Sequence, residues 1–102
     1  MNREITKKGT QDVNGNYKFK YTTNLYSAYD KIGETYLPLF PAQTDMRAIR
    51  MLEDSVSDKN SPIGKHPEDY RLDKIAEIDM RTGKILNNEI RTIIEAKEYA
   101  NG

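Results

Sequence analysis

The chain has no cysteine, no tryptophan and one histidine, and its 16 basic residues are balanced by 16 acidic ones. Without cysteine there are no disulfides, no thiolate metal ligands and no thiol nucleophile, which suits a reducing compartment. The single histidine, His66, has carboxylates near it, but a zinc site takes three or four ligands. No metal and no cofactor are therefore expected. Zero net charge argues against a protein that coats nucleic acid by charge alone, since such proteins are strongly basic. No apolar run approaches the ~20 residues that cross a bilayer. The opening MNREITKKG carries charge but is not followed by the apolar stretch of a secretory signal. A soluble protein of the cytoplasm, with no membrane contact, is the expectation.

What is present is modest. A chain of 102 residues makes one domain. Apolar residues are 36% and charged residues 31%, so the core is thin and self-association would add to its stability. A homo-oligomer, dimer or higher, is expected. Charge is unevenly spread. Up to Lys31 the basic residues are Arg3, Lys7, Lys8, Lys18, Lys20 and Lys31, against Glu4, Asp12 and Asp30, so the first third is basic and the rest acidic.

Residues 1–16 are polar and read as an arm, although Asn14-Gly15 also suits a tight hairpin turn. Residues 17–102 form the domain. YKFKYTTNLYSAYDK, from Tyr17, is aromatic and β-branched with interleaved polar residues, a strand pattern. Lys31-Ile32-Gly33-Glu34 is a turn with Gly33 available for positive φ. TYLPLF resumes extended structure, Pro38 puts it at an edge or bulge, and Pro41 closes it. Thr44 is placed to cap a helix over Asp45 to Ser57, with Asp45 at the positive end of its dipole. Met46, Ile49, Leu52 and Val56 share its apolar face. Asp58 to Gly64 is a loop by composition, and Pro67-Glu68-Asp69 a short helical turn. YRLDKIAEID alternates as a half-buried strand with Tyr70, Leu72, Lys74, Ala76 and Ile78 on one side. Met80 to Gly83 turns the chain, and Lys84-Ile85-Leu86 returns it. Beyond that point, Leu86, Ile90, Ile93 and Ile94 have helical spacing, which favours a C-terminal helix ended by Asn101-Gly102. Leu86, Ile90, Thr92 and Ile94 also share one strand parity. The fold class is α+β: an antiparallel sheet of about four strands, hairpin, helix, hairpin, with one amphipathic helix on a face.

These segments resemble the small nonstructural protein of gokushovirus-type microviruses, such as the chlamydia phages. The resemblance rests on Tyr29-Asp30, Tyr36-Leu37-Pro38, Ala48-Ile49-Arg50, Val56-Ser57-Asp58, the run Ser61 to Tyr70 and Asp79-x-x-Thr82-Gly83. It covers roughly Tyr17 to Ile85, and the string Lys65-His66-Pro67-Glu68-Asp69-Tyr70 is its most specific part. It implies a phage protein of the host cytoplasm, absent from the capsid, that binds DNA around genome replication or progeny-strand production. It implies no catalytic residue.

The residues themselves offer three places for DNA. Tyr17, Phe19 and Tyr21 share one strand face and Lys18 and Lys20 the other. Stacking aromatics joined to cations hold single strands, at ~1–3 kcal/mol per stacked base, yet the same pattern describes a core face backed by a solvated one. Lys65, His66 and Arg71 surround a Ser/Gly loop whose N–H groups could take a phosphate; Glu68 and Asp69 oppose that, and a structural turn fits as well. Arg47 and Arg50, three apart, neighbour each other on the helix and face either phosphates or Glu53 and Asp54. No P-loop, dinucleotide fingerprint or nucleophile elbow is present, and the spacing of the plentiful carboxylates, among them Asp54, Asp58, Glu68, Asp69, Asp73 and Asp79, singles out no acid/base pair or two-metal site, so an enzyme is not expected. The leading expectation is a module for single-stranded DNA. The other is a factor that docks on a phage or host replication protein without touching DNA; an apolar patch along Leu86 to Tyr99 would favour it.

Overall fold

The computed structural model describes residues 21–99. The arm of residues 1–16, the run Tyr17, Lys18, Phe19 and Lys20, and the Asn101-Gly102 terminus lie outside the described residues. The fold is α+β, with the elements β1 (Thr22–Asp30), β2 (Thr35–Tyr36), β3 (Phe40–Ala42), α1 (Asp45–Ser57), α2 (Pro62–Lys65), β4 (Tyr70–Asp79), β5 (Ile85–Asn87) and β6 (Arg91–Glu95). Short 3-10 turns at Pro67–Asp69 and Ala96–Tyr99 precede β4 and follow β6.

All pairings are antiparallel, and the six strands fill four positions. β1 and β4 lie side by side in the middle. β2 and β3 share the outer side of β1, and β5 and β6 share the outer side of β4. Each edge strand is thus broken in two. In the first the break falls at Leu37 to Leu39, around Pro38, which cannot donate a ladder hydrogen bond. Pro41 does not close the strand but sits inside β3, an edge position where its missing N–H is tolerated.

Three extra residues bend the ladders. Leu25 pairs with Ala76 but Tyr26 with Lys74, so Ile75 is an extra residue in β4. Similar shifts make Leu86 extra in β5 and Ile93 extra in β6. The bulge at Ile75 overturns the expected single face of β4. Tyr70, Leu72 and Lys74 pair with Asp30, Ala28 and Tyr26 on the helix side, whereas Ala76 and Ile78 pair with Leu25 and Thr23 on the opposite side.

α1 has the predicted bounds. The Thr44 hydroxyl accepts from the Arg47 N–H at 3.2 Å, the cap that starts the helix. Its inward residues are Ala48, Leu52 and Val56, with Ile49 half-buried; Met46 is 66% exposed, not part of the apolar face. They pack on Tyr26, Ala28, Tyr70 and Leu72, with Ile63 and Ala96 closing the ends. A fully buried chain such as Leu72 contributes roughly 2–3 kcal/mol.

The segment after α1 is more ordered than a loop. Ser61 caps α2, accepting from the Gly64 N–H at 2.9 Å while its hydroxyl lies 2.7 Å from the Ser55 carbonyl. A Cβ on Gly64 would stand 1.9 Å from the Asp58 carbonyl oxygen. These contacts fold the chain tightly back on the end of α1.

The expected C-terminal helix is a strand. Residues 91–95 form β6 against β4, in keeping with the β-branched Thr92, Ile93 and Ile94, which lose rotamer freedom in a helix and pack well on a pleated surface. The turn expectation shifts as well. The positive φ falls on Glu34 (57°), not on Gly33.

Candidate nucleic-acid interface

Because Ala48, Leu52 and Val56 turn inward, α1 presents Met46, Arg47, Arg50 and Met51 outward. β3 runs directly into this helix through Gln43 and Thr44. The result is an open groove of about 820 Å³ at the first turns of α1, with Pro41, Ala42 and Thr23 among its lining. Thr23 is held there by its hydroxyl, which donates to the Ala42 carbonyl at 3.4 Å.

The five arginines of the described residues divide sharply. Arg71, Arg81 and Arg91 each contact a carboxylate, those of Asp73, Asp79 and Asp45. Arg47 and Arg50 form no ion pair among the described residues, and Glu53 and Asp54 do not draw them in. Two exposed guanidinium groups, three residues apart and beside two exposed methionines, therefore line the groove.

A network anchors the start of α1. The Tyr26 hydroxyl donates to Asp45 Oδ1 at 2.6 Å, Arg91 donates to Asp45 Oδ2 at 3.0 Å, and Asn24 donates to the Tyr26 hydroxyl at 3.2 Å. The Tyr26 hydrogen bond, with help from Arg91, holds the Asp45 carboxyl below the usual carboxylate range. Burial, then the Asp45 hydrogen bond, pushes the Tyr26 phenol well up.

The other sequence candidates are not brought to this groove. Lys65 and His66 are exposed at the far end of α1, a helix roughly 20 Å long. His66, Glu68 and Asp69 there place one potential ligand atom each within 4.8 Å of one another. Arg71 lies on the sheet face opposite α1. Its Nε donates to Asp73 at 3.1 Å, and its guanidinium covers the Tyr29 ring at 4.4 Å. Tyr21, at the start of the described chain, is exposed with Arg81 above its ring at 5.1 Å.

On that opposite face the structure assembles a cluster that reading the sequence missed. Asp73 is fully buried on this face. It accepts from the Tyr36 hydroxyl at 2.6 Å, the Thr92 hydroxyl at 2.8 Å and Arg71. Tyr29 and Tyr36 meet edge to face at 4.7 Å between ring centres. Burial raises the Tyr36 phenol, and the Asp73 hydrogen bond adds to that; the same carboxylate raises Arg71. With Asp73 consuming these donors, the cluster is a tie across four strand positions, not a set of open ligand groups. The available signal was the register: Asp73 stands opposite Ser27 and Thr92, neither of which is charged.

No helix among the described residues is long and apolar enough to cross a membrane. No curated protein and no solved structure matches the chain. A family model described as Phage ORF5 protein matches residues 23–99, from β1 to the last turn. That span takes in both hairpins, α1 and the groove between them, and the chain belongs to the Phage ORF5 protein family.

Proposed function

We propose that this phage protein binds single-stranded DNA along the α1 flank that carries Arg47 and Arg50. The observation that carries the reading is the division of the arginines: the two without carboxylate partners stand together on an open groove. A guanidinium fork fits phosphate oxygens in bidentate fashion. Met46 and Met51 supply adaptable apolar contacts for bases, and the groove is open enough for an extended strand. The resemblance to microvirus nonstructural proteins supports a role in genome replication or progeny-strand production. The reading assigns no catalytic residue. Lys18 and Lys20 extend it into the basic first third of the chain.

Fluorescence anisotropy of a labelled single-stranded oligonucleotide, at low and high salt with a duplex control, tests it. Affinity should fall steeply with salt. Replacing Arg47 and Arg50 together by Ala should weaken binding about equally for all sequences and reduce the salt slope by roughly 1.4, two phosphate contacts at ~0.7 each. Absence of binding at low salt, or an unchanged slope in the double variant, would refute it.

One observation favours the second reading, a factor that docks on a phage or host replication protein. Ile85, Leu86 and Ile90 are 59%, 48% and 57% exposed. A replication protein retained from nuclease-treated lysate, together with no DNA binding, would support that alternative.

A further inference from the structure

The string Lys65 to Tyr70 takes no part in the groove at Arg47 and Arg50, and the fold gives it a chemistry of its own. His66, Glu68 and Asp69 are close in sequence, but only the turn decides whether their side chains meet. His66 ends α2, where its N–H donates to the Pro62 carbonyl at 3.0 Å. Pro67 fixes the next φ and opens the 3-10 turn, and the Asp69 N–H returns to the His66 carbonyl at 3.0 Å. The turn is also fastened to the first hairpin, since the Lys31 N–H donates to the Asp69 carbonyl at 2.9 Å. Ile63 before it and Tyr70 after it belong to the buried core.

On this platform three side chains converge. One imidazole nitrogen and one oxygen from each carboxylate lie within 4.8 Å of one another. Some point is then within ~2.8 Å of all three, against zinc–ligand bonds of about 2.0–2.2 Å, so a small rotation of the exposed His66 and Glu68 side chains closes the set. None of the three side chains forms a hydrogen bond or an ion pair among the described residues. Lys65, their neighbour, pairs with neither carboxylate. Asp45 and Asp73, by contrast, are each held by a tyrosine and an arginine. At the turn two carboxylates and an imidazole meet with no donor between them, and a shared cation relieves that arrangement.

The donor set selects the cation. Magnesium and calcium take oxygen ligands, whereas imidazole suits zinc, nickel, copper and iron. Three protein ligands leave at least one position for water. We propose that His66, Glu68 and Asp69 bind a divalent first-row transition-metal ion, clasping the corner between α2 and β4. The sequence shows one histidine and too few ligands in any obvious pattern; the turn assembles three. The site lies at the far end of α1 from Arg47 and Arg50, so it stands or falls apart from DNA binding.

Isothermal titration calorimetry of the full chain, freed of nucleic acid by nuclease and of metal by a chelator, tests it with zinc and nickel, magnesium serving as control. One zinc or nickel ion should bind per chain, at least about tenfold tighter than magnesium. His66→Ala, Glu68→Gln and Asp69→Asn should each weaken zinc binding about tenfold or more, while Asp54→Asn, outside the cluster, should leave it unchanged. The bonds that hold the turn are made by backbone groups, so all these variants should keep the wild-type circular dichroism. In amide correlation spectra, paramagnetic nickel should first broaden residues 65–70 and Lys31. No saturable binding of zinc or nickel up to millimolar concentration would overturn the proposal. So would equal affinity for magnesium, zinc affinity indifferent to His66→Ala, or broadening centred elsewhere.

Discussion

The two hairpins of this protein share one turn and differ in almost everything after it. Each turn opens with an aspartate, Asp30 or Asp79. Its carboxylate accepts backbone N–H groups of the turn, those of Ile32 and Gly33 at 3.0 and 2.9 Å in the first and that of Arg81 at 2.9 Å in the second. Each is closed four residues on by a backbone bond, Glu34 N–H to Asp30 at 2.8 Å and Gly83 N–H to Asp79 at 2.7 Å. The closing residue has positive φ in both, 57° at Glu34 and 79° at Gly83. Only the second turn places glycine where that conformation carries no steric cost. Conversely, only the first hairpin protects its edge with proline. The comparison teaches that turn geometry follows from the aspartate and the closing bond, while what an edge strand can meet is set separately by its own residues.

The largest expected effect comes from removing the tie between the hairpins. Asp73 accepts from Tyr36 on the first edge and Thr92 on the second. Asp73→Ala leaves the Tyr36 hydroxyl and Arg71 without their acceptor, and should cost about 3 kcal/mol in urea unfolding. A loss below about 1 kcal/mol would mean that the hairpins are held together by the core alone.

Next come the closing residues. Nothing lies within 4 Å of a Cβ added at Gly83, so Gly83→Ala meets only the backbone cost and should lose about 1 kcal/mol. Glu34→Gly should change stability in the opposite direction, a gain of about 0.5 kcal/mol. Equal signs in thermal melts would end the claim that the two turns are equivalent.

The smallest effect is a pH dependence. The folded Asp45 carboxyl titrates below its ordinary value because of Tyr26 and Arg91, with Lys74 adding to the same direction. Its contribution is therefore present above the ordinary carboxylate pKa and is lost as pH falls through the lower folded value. The raised Tyr26 phenol acts at the other end: its contribution is complete below the ordinary phenol value near 10 and declines as pH rises above it. Asp45→Asn should flatten the acid loss in melting temperature, a drop shared by all carboxylates in the wild type. An acid limb unchanged by the substitution would remove Asp45 from the list of groups that matter there.

Local chemistry was legible in the sequence. α1 and β4 have the bounds that Thr44, the helical period and the Tyr70 to Asp79 alternation imply. So was the proximity of Arg47 and Arg50, which helix geometry alone dictates. The features that were not legible depend on distant pairing. Ile75 becomes a bulge only against β1, and that bulge moves Ala76 and Ile78 to the other face. Asp73 follows the polar parity of its strand and looks solvated until Tyr36 and Thr92 arrive from both edges. Residues 91–95 satisfy a helical period as well as a strand parity, and β4 decides between them. The glycine of the first turn misled for a plainer reason: Gly33 is the residue best suited to positive φ, but the bond from Glu34 to Asp30 places that conformation one residue later.

The central ladder also sets an order of assembly. β1 meets β4 in a pairing that runs from Asp30 with Tyr70 to Thr22 with Asp79, across both edge strands of the first hairpin, α1 and α2. During synthesis from the N-terminus, the first hairpin can close early through short-range contacts. One flank of β1 then stays unpaired until the ribosome has released residue 79. Such late, non-local pairing slows folding, and it exposes a strand edge while it lasts. On one side of β1 the prolines already limit what nascent chains can pair with. On the other, the flank waits for β4, while Ala48, Leu52 and Val56 of α1, already synthesised, can pack on Tyr26 and Ala28 across the adjoining face.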